Sequence, residues 1–130
     1  ILSYLADMDR SNNPYEVGLD WMVDLDQEDD FIGKEALREI YHSGPTKKLM
    51  GAEIPGDPIT AFNEEHWPVL IDGNKIGSMN ALVYSPRLDK NIAYTILDIE
   101  HAKSGQEIII SSPEKELAAT TVDLPWLERV

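Results

Sequence analysis

The sequence predicts a mostly β fold, a small antiparallel six-stranded barrel with one short helix ahead of it. Three observations carry that prediction. After Gly44 the chain falls into six short runs, each bounded by turn signals, that read as strands. Glycine, proline and asparagine separate these runs at spacings of roughly 8–15 residues, the rhythm of a small barrel or sandwich. One stretch alone, beginning at Gly33, spaces its apolar side chains for a helix.

The elements follow in order. Val17, Leu19, Trp21, Val23 and Leu25 alternate with Gly18, Asp20, Met22 and Asp24. This is period two, so a strand is expected here, with Trp21 on the core face and Asp20 and Asp24 turned to water. "DQEDD" ends it, because a cluster of carboxylates is not buried unpaired. Leu37, Ile40 and Tyr41 then fall at i, i+3 and i+4 of a short helix, with Phe31 and Ile32 over its first turn. Glu35 and Arg38 are spaced to pair on its surface, and Gly44-Pro45 is its stop. "KKLMGAEI" is the first barrel strand and "PGDP" the turn after it. "WPVLI" and "KIGSMNALVY" flank Asp72-Gly73-Asn74, a hairpin signal because glycine and asparagine tolerate the positive φ of tight turns. "NIAYTILDI", "QEIIIS" and "ELAATTVDL" complete the set, joined by turns at "AKSG" and "SPEK".

The 130 residues make one ordinary domain, long enough to bury a core without disulfides or metal. A hydrophobic fraction of 42% marks a globular chain. The net charge of -13 repels phosphate backbones and anionic lipid, so neither nucleic acid nor a membrane is an expected partner. There is no cysteine, which excludes disulfides, thiolate metal sites and thiol catalysis and suits a reducing, cytoplasmic setting. "ILSYLADMD" carries no basic n-region and does not begin with methionine, so the chain reads as a piece of a longer one.

Candidate chemistry is sparse. His42, His66 and His101 are scattered and offer no metal-ligand spacing. The glycines stand singly in turns rather than in a phosphate loop, and "YSP" lacks the glycines of a nucleophile elbow. Asp7, Asp9, Glu16, Asp20 and Asp24 are each an acid or base on paper, yet a charge-rich stretch is usually a solvated face. Asp7 and Asp9 precede "NNP" and suit capping of that turn. Trp67 stands at the entrance to a strand, placed either to close a pocket or to fill space under a loop. Ser78 and Asn80 put polar groups in mid-strand. Arg87 and Lys90 read either as two solubilising charges or as a positive rim for an anionic ligand. No catalytic residue and no metal site are expected within the chain.

The order "LSY..DMD...NPYEVGLDWMVDLD...DFIGKEAL", followed by "PV...G.KIG....L.YSPRLDKNIAY" and the closing "TTVDLPWL", resembles the glycine-cleavage T-protein family of folate-dependent aminomethyltransferases and demethylases. Within it, "ILSY", "NPYEVGLD", "WPV" and "YSPRLDKNIA" look most like the dimethylsulfoniopropionate demethylase branch. Glycine-cleavage members tend to have threonine where Arg87 stands and glycine-tyrosine where His66-Trp67 stands. The chain departs from both branches at Met79-Asn80, where the family often carries threonine-serine, and at Ile1, where it carries a tyrosine bordering the folate.

The resemblance implies that residues 1–15 end an upstream folate-binding domain and that residues 16–130 are a lead-in and the C-terminal β-barrel. The full-length enzyme would bind tetrahydrofolate in a central channel, mainly through upstream residues that include the family's catalytic acid, and move a one-carbon unit from a small substrate to N5. This chain alone would be inactive and would supply a wall of the channel, with Tyr4, Trp67, Asn80, Tyr84 and Arg87 facing it. Its partners would be the small substrate, folate and the upstream domains of the same protein. Alternatives are a glycine-cleavage aminomethyltransferase and a non-catalytic module that kept the fold and lost the reaction.

Overall fold

A computed structural model describes residues 2–127, so Ile1 lies outside the described residues. From residue 47 onward the chain forms a closed antiparallel barrel of six strands: β1 (Lys47–Ile54), β2 (Trp67–Ile71), β3 (Asn74–Ser85), β4 (Lys90–Asp98), β5 (Glu107–Ser111) and β6 (Glu116–Val122). Their order around the barrel is β1-β4-β3-β2-β5-β6, and β1 closes on β6 through pairs such as Ala52 with Thr121. All six expected strands are present.

Alternation fills the interior. Met50, Val69, Met79, Leu97 and Ile110 are essentially inaccessible, joined by Ala52, Ile54, Ile76, Leu82, Ala93, Ile108 and Ala119. All six strands contribute. Two threonines also point inward and are satisfied by backbone. Thr95 donates to the Met50 carbonyl at 3.1 Å, and Thr121 donates to the Lys103 carbonyl while accepting from the Gln106 N–H. The β2–β3 hairpin turns on Asp72 and Gly73, both at positive φ. Asn74, expected in the turn, is already the first residue of β3.

Residues 2–45 form a lead-in lying against the barrel. Its helix, α1 (Lys34–Ser43), is as expected, with Gly44 at its C-cap and Arg38 paired to Glu35 at 2.8 Å. Phe31 is half-buried, but Ile32 is fully exposed. No residue of α1 is buried.

The strand expected over residues 17–25 is not there. Gly18 takes φ +71°, and a short 3-10 turn follows at Asp20–Met22. The physical reason is closure: a barrel whose last strand pairs with its first has no free edge for a seventh strand. Trp21, expected in the core, is therefore 68% exposed. Asp20 and Asp24 are exposed, as expected. The lead-in touches β1 instead through the Leu49 N–H, which donates to the Glu16 carbonyl at 2.6 Å, with Val17 and Leu49 both buried there. No helix among the described residues is long and apolar enough to cross a membrane.

Candidate functional site

Polar side chains converge at one irregularity of the barrel. β3 and β4 pair up to Met79 opposite Thr95 and resume with Ala81 opposite Tyr94, so Asn80 is the extra residue of a bulge. A bulge leaves ladder groups unpaired. Asn63 satisfies them: its Nδ2 donates to the Asn80 carbonyl at 2.8 Å, and its Oδ1 accepts from the Leu82 N–H at 3.0 Å. The buried side chain of Asn80 serves the lead-in. Its Nδ2 donates to the Asp7 carbonyl at 2.8 Å, and its Oδ1 accepts from the Ser78 hydroxyl at 3.3 Å. His66 Nε2 lies 2.6 Å from the Ala6 carbonyl; a carbonyl only accepts, so Nε2 carries the proton.

A cleft of about 170 Å³ opens between these parts, with Asp7, Asp9, Lys47, His66, Ser78 and Asn80 in its lining. Asp7 is buried, with Oδ2 accepting from the Ser3 N–H at 2.7 Å while Oδ1 has no hydrogen-bond partner among the described residues. Asp9 accepts from both the hydroxyl and the N–H of Ser11. Those bonds hold its carboxyl below the usual range, with a smaller contribution from His66.

The second concavity is the mouth of the barrel, about 640 Å³, walled by Ile54, Ile59, Phe62, Trp67, Leu82 and Leu117. Its rim carries Asp57, Asn91, Glu114 and Lys115. Asn91 is committed to the loop that roofs it: Oδ1 accepts from the Ile59 N–H at 2.9 Å and Nδ2 donates to the Asp57 carbonyl at 3.0 Å.

The five candidate residues do not meet in one place. Asn80 is the bulge, and Tyr4 is 58% exposed on the segment that Asn80 and His66 anchor. Trp67 opens β2 opposite Met79 and lines the barrel mouth, so it both borders a cavity and packs on the core. Tyr84 and Arg87 lie at the far end of the β3–β4 hairpin, outside the lining of either cavity. The Tyr84 hydroxyl donates to Asp89 at 2.6 Å, and that bond raises its pKa above the ordinary phenol value. The cationic pair is split, because Lys90 binds Glu53 at 2.7 Å while Arg87 stays exposed.

Asn63 and Asn91 carry no signal in the sequence as site residues, since each acts on backbone more than fifteen positions away. Among the described residues, no three of His, Cys, Asp or Glu gather as a metal site. The polar groups that do converge mostly bind backbone, so the arrangement positions segments rather than activating a nucleophile.

The family description "Glycine cleavage T-protein C-terminal barrel domain" matches residues 47–128. The chain is 34% identical over 126 residues to a protein named aminomethyltransferase from Parasynechococcus marenigrum (strain WH8102), covering 97% of this chain and 34% of that protein. It is 37% identical over 124 residues to an aminomethyltransferase from Herpetosiphon aurantiacus, covering 95% and 33%. The chain thus spans about a third of the length of the relatives it matches. The crystal structure of glycine cleavage system aminomethyltransferase T from Bartonella henselae superimposes with a TM-score of 0.83 over 98% of this chain and 35% of that one, at 21% identity, which supports the fold alone. With a closed six-stranded barrel under a family description that covers most of the sequence, this chain belongs to the glycine cleavage T-protein family, as its C-terminal barrel domain.

Proposed function

We propose that the natural protein carrying this chain is a tetrahydrofolate-dependent one-carbon transferase, and that this chain provides a wall of its substrate channel. The observation that carries the reading is its whole-length relation to proteins named aminomethyltransferase. Those names favour an aminomethyl donor.

Tetrahydrofolate does not fit a site made of these residues alone. At the barrel mouth Asn91 is already spent on the loop, and Lys115, the one cation of the lining, is outnumbered by Asp57 and Glu114. Such a rim disfavours an anionic ligand. Arg87 stands outside that lining. The folate would be held mainly by upstream residues of the natural protein.

A second reading is demethylation of a dimethylsulfoniopropionate-like substrate, in which a thioether leaves a cationic methyl donor and positioning is the main contribution. The residues that favour it are His66-Trp67 and Arg87, where the sequence departs from the glycine-cleavage pattern. Trp67 borders a cavity and Arg87 is exposed without a partner among the described residues.

The test is an assay of the natural protein with tetrahydrofolate and each donor in turn. Folate-dependent consumption of an aminomethyl donor supports the first reading, and loss of methyl from dimethylsulfoniopropionate supports the second. Turnover of neither would sink both.

A further inference from the structure

The mouth of the barrel encloses about 640 Å³, within the range of roughly 300–1,000 Å³ that small-molecule sites occupy. Strand ends build most of its wall. Ile54 closes β1, Trp67 opens β2, Leu82 lies near the end of β3 and Leu117 near the start of β6. Residues 55–66, which join β1 to β2, form no strand or helix, yet they supply Ile59 and Phe62 to the same wall. Phe62 is 82% exposed, more than any other aromatic side chain among the described residues. A large apolar side chain left open in the lining of a cavity gains burial when that cavity is filled.

That wall is held in shape without an occupant. Two asparagines of the barrel region clamp the 55–66 segment on either side of Phe62. Asn91, itself buried, accepts from the Ile59 N–H at 2.9 Å and donates to the Asp57 carbonyl at 3.0 Å. Asn63 is tied to β3 by its bonds to the Asn80 carbonyl and the Leu82 N–H. Across the mouth the β5–β6 turn locks itself: the Ser112 hydroxyl donates to the Lys115 carbonyl at 2.6 Å and accepts from the Lys115 N–H at 3.1 Å. A ligand entering this cavity meets loops that are already ordered, which lowers the entropy cost of binding.

Charge decides what kind of ligand it takes. Asp57 and Glu114 stand at the rim against Lys115, and none of the three forms an ion pair among the described residues. The wall carries two aromatic side chains, Phe62 and Trp67, and aromatic rings attract cations. A bare metal ion needs clustered ligands, and no three of His, Cys, Asp or Glu gather among the described residues. We propose that the barrel mouth binds a small organic cation with an apolar body, a quaternary or tertiary ammonium, which Phe62 and Trp67 enclose and the Asp57 and Glu114 carboxylates favour. The proposal does not rest on the transferase reading or on the choice of donor.

Calorimetry of the natural protein with benzyltrimethylammonium, in the absence of folate and donor, tests this. Saturable one-to-one binding is expected, tighter than that of hydrocinnamyl alcohol, which is neutral, and of hydrocinnamate, an anion of similar size. No saturable binding of the cation overturns the proposal, and so does hydrocinnamate binding equally well. Phe62→Ala is expected to weaken the cation about three- to tenfold and, because Phe62 is exposed, to leave the melting temperature unchanged. Unchanged affinity in that variant puts the cation elsewhere in the natural protein and overturns the site. The double variant Asp57→Asn, Glu114→Gln is expected to narrow the preference for the cation over the alcohol; an unchanged preference overturns the part given to the carboxylates. A natural protein that turns over neither donor yet binds the cation through Phe62 defeats the transferase reading and leaves this one standing.

Discussion

The side-chain amide of Asn80 donates to the backbone carbonyl of Asp7 at 2.8 Å, across 73 positions of sequence. With the Leu49 N–H to Glu16 carbonyl bond, it ties a barrel strand to the lead-in. It exists because a bulge leaves Asn80 outside the β3–β4 register, free to serve another partner. Asn63 repairs the ladder on the other side of the same bulge. One extra residue in β3 therefore fixes both the loop before β2 and the segment around Asp7.

Asn80→Ala removes that bond and leaves a carbonyl at a buried contact without its donor. The expected loss is about 1–3 kcal/mol, since an unsatisfied buried group costs more than a hydrogen bond contributes. Urea unfolding of the variant measures it. Hydrogen exchange is expected to quicken at the Leu5 and Asp7 amides, which bond within the 3–8 turn, while the amides of β1 and β4 stay slow. Uniform acceleration through the barrel would assign Asn80 to the core rather than to the lead-in.

The two glycines of the β1–β4–β3 face separate backbone from side-chain constraint. A Cβ at Gly77 would stand 2.1 Å from the Ile96 carbonyl oxygen and 2.9 Å from the Leu97 Cα. Backbone cannot step aside in a paired ladder, so Gly77→Ala is expected to cost about 3 kcal/mol or more. At Gly51 the obstruction is the Trp126 ring and the Val122 methyl at 2.9 Å, both of which can rotate. Gly51→Ala is expected to cost less, and to disturb the contact of Trp126 with Tyr94, whose ring centroids are 5.1 Å apart. Equal melting temperatures for the two variants would contradict this ordering.

The barrel was legible in the sequence because each of its strands puts alternate residues into a single closed interior. Lys90–Asp98 shows that pattern plainly. Alternation alone misled over residues 17–25, since the number of available strand edges is a property of the finished sheet. Asn80 stood out as a polar residue in mid-strand, and Trp67 as an aromatic at a strand entrance. What Asn63, His66 and Asn91 do was not legible, because their partners are loop carbonyls and amides that only the closed barrel brings near. The pairing of the Tyr84 hydroxyl with Asp89, five residues on, was not legible either.

The alkaline limb of stability follows from two tyrosines. Tyr84 is raised above the ordinary phenol pKa first by its hydrogen bond to Asp89, then by slight desolvation and the Asp89 charge. Tyr94 is raised by burial and, less, by the charge of Asp7. Above the unfolded value near 10 the folded chain therefore holds protons that the unfolded chain has released. The folded state binds more protons, so stability is fully present below that value and falls as pH rises through the folded pKa values. Tyrosine-resolved NMR titration is expected to show both residues titrating late. Asp89→Ala is expected to return Tyr84 toward the ordinary value and leave Tyr94 late; a shift of both would mean that they share one environment.

Calorimetry with tetrahydrofolate on this 130-residue chain is expected to show no binding in the micromolar range. The barrel-mouth rim is negative, and its one amide is occupied by the Ile59 and Asp57 backbone. Micromolar binding would place the folate on the barrel itself and overturn the view of this chain as one wall of a shared channel.

Arg87 separates a functional charge from a solubilising one. Its side chain is exposed at the hairpin end and makes no hydrogen bond or ion pair among the described residues, whereas Lys90 is neutralised by Glu53. Removing a partnerless surface charge changes stability by about 0.5 kcal/mol at most, so Arg87→Ala is expected to leave the melting temperature of the natural protein unchanged. If the guanidinium meets a carboxylate of substrate or folate in the shared channel, the same variant weakens that affinity, and Arg87→Lys restores it only in part because a point charge does not replace a bidentate fork. The contrast with Lys90→Ala sharpens the reading: that variant breaks a surface ion pair outside the cavity linings and is expected to alter neither affinity nor, beyond about 1 kcal/mol, stability. Unchanged affinity in Arg87→Ala would reduce Arg87 to a surface charge. A large fall in melting temperature at constant affinity would instead make it part of the contact between this barrel and the rest of the protein.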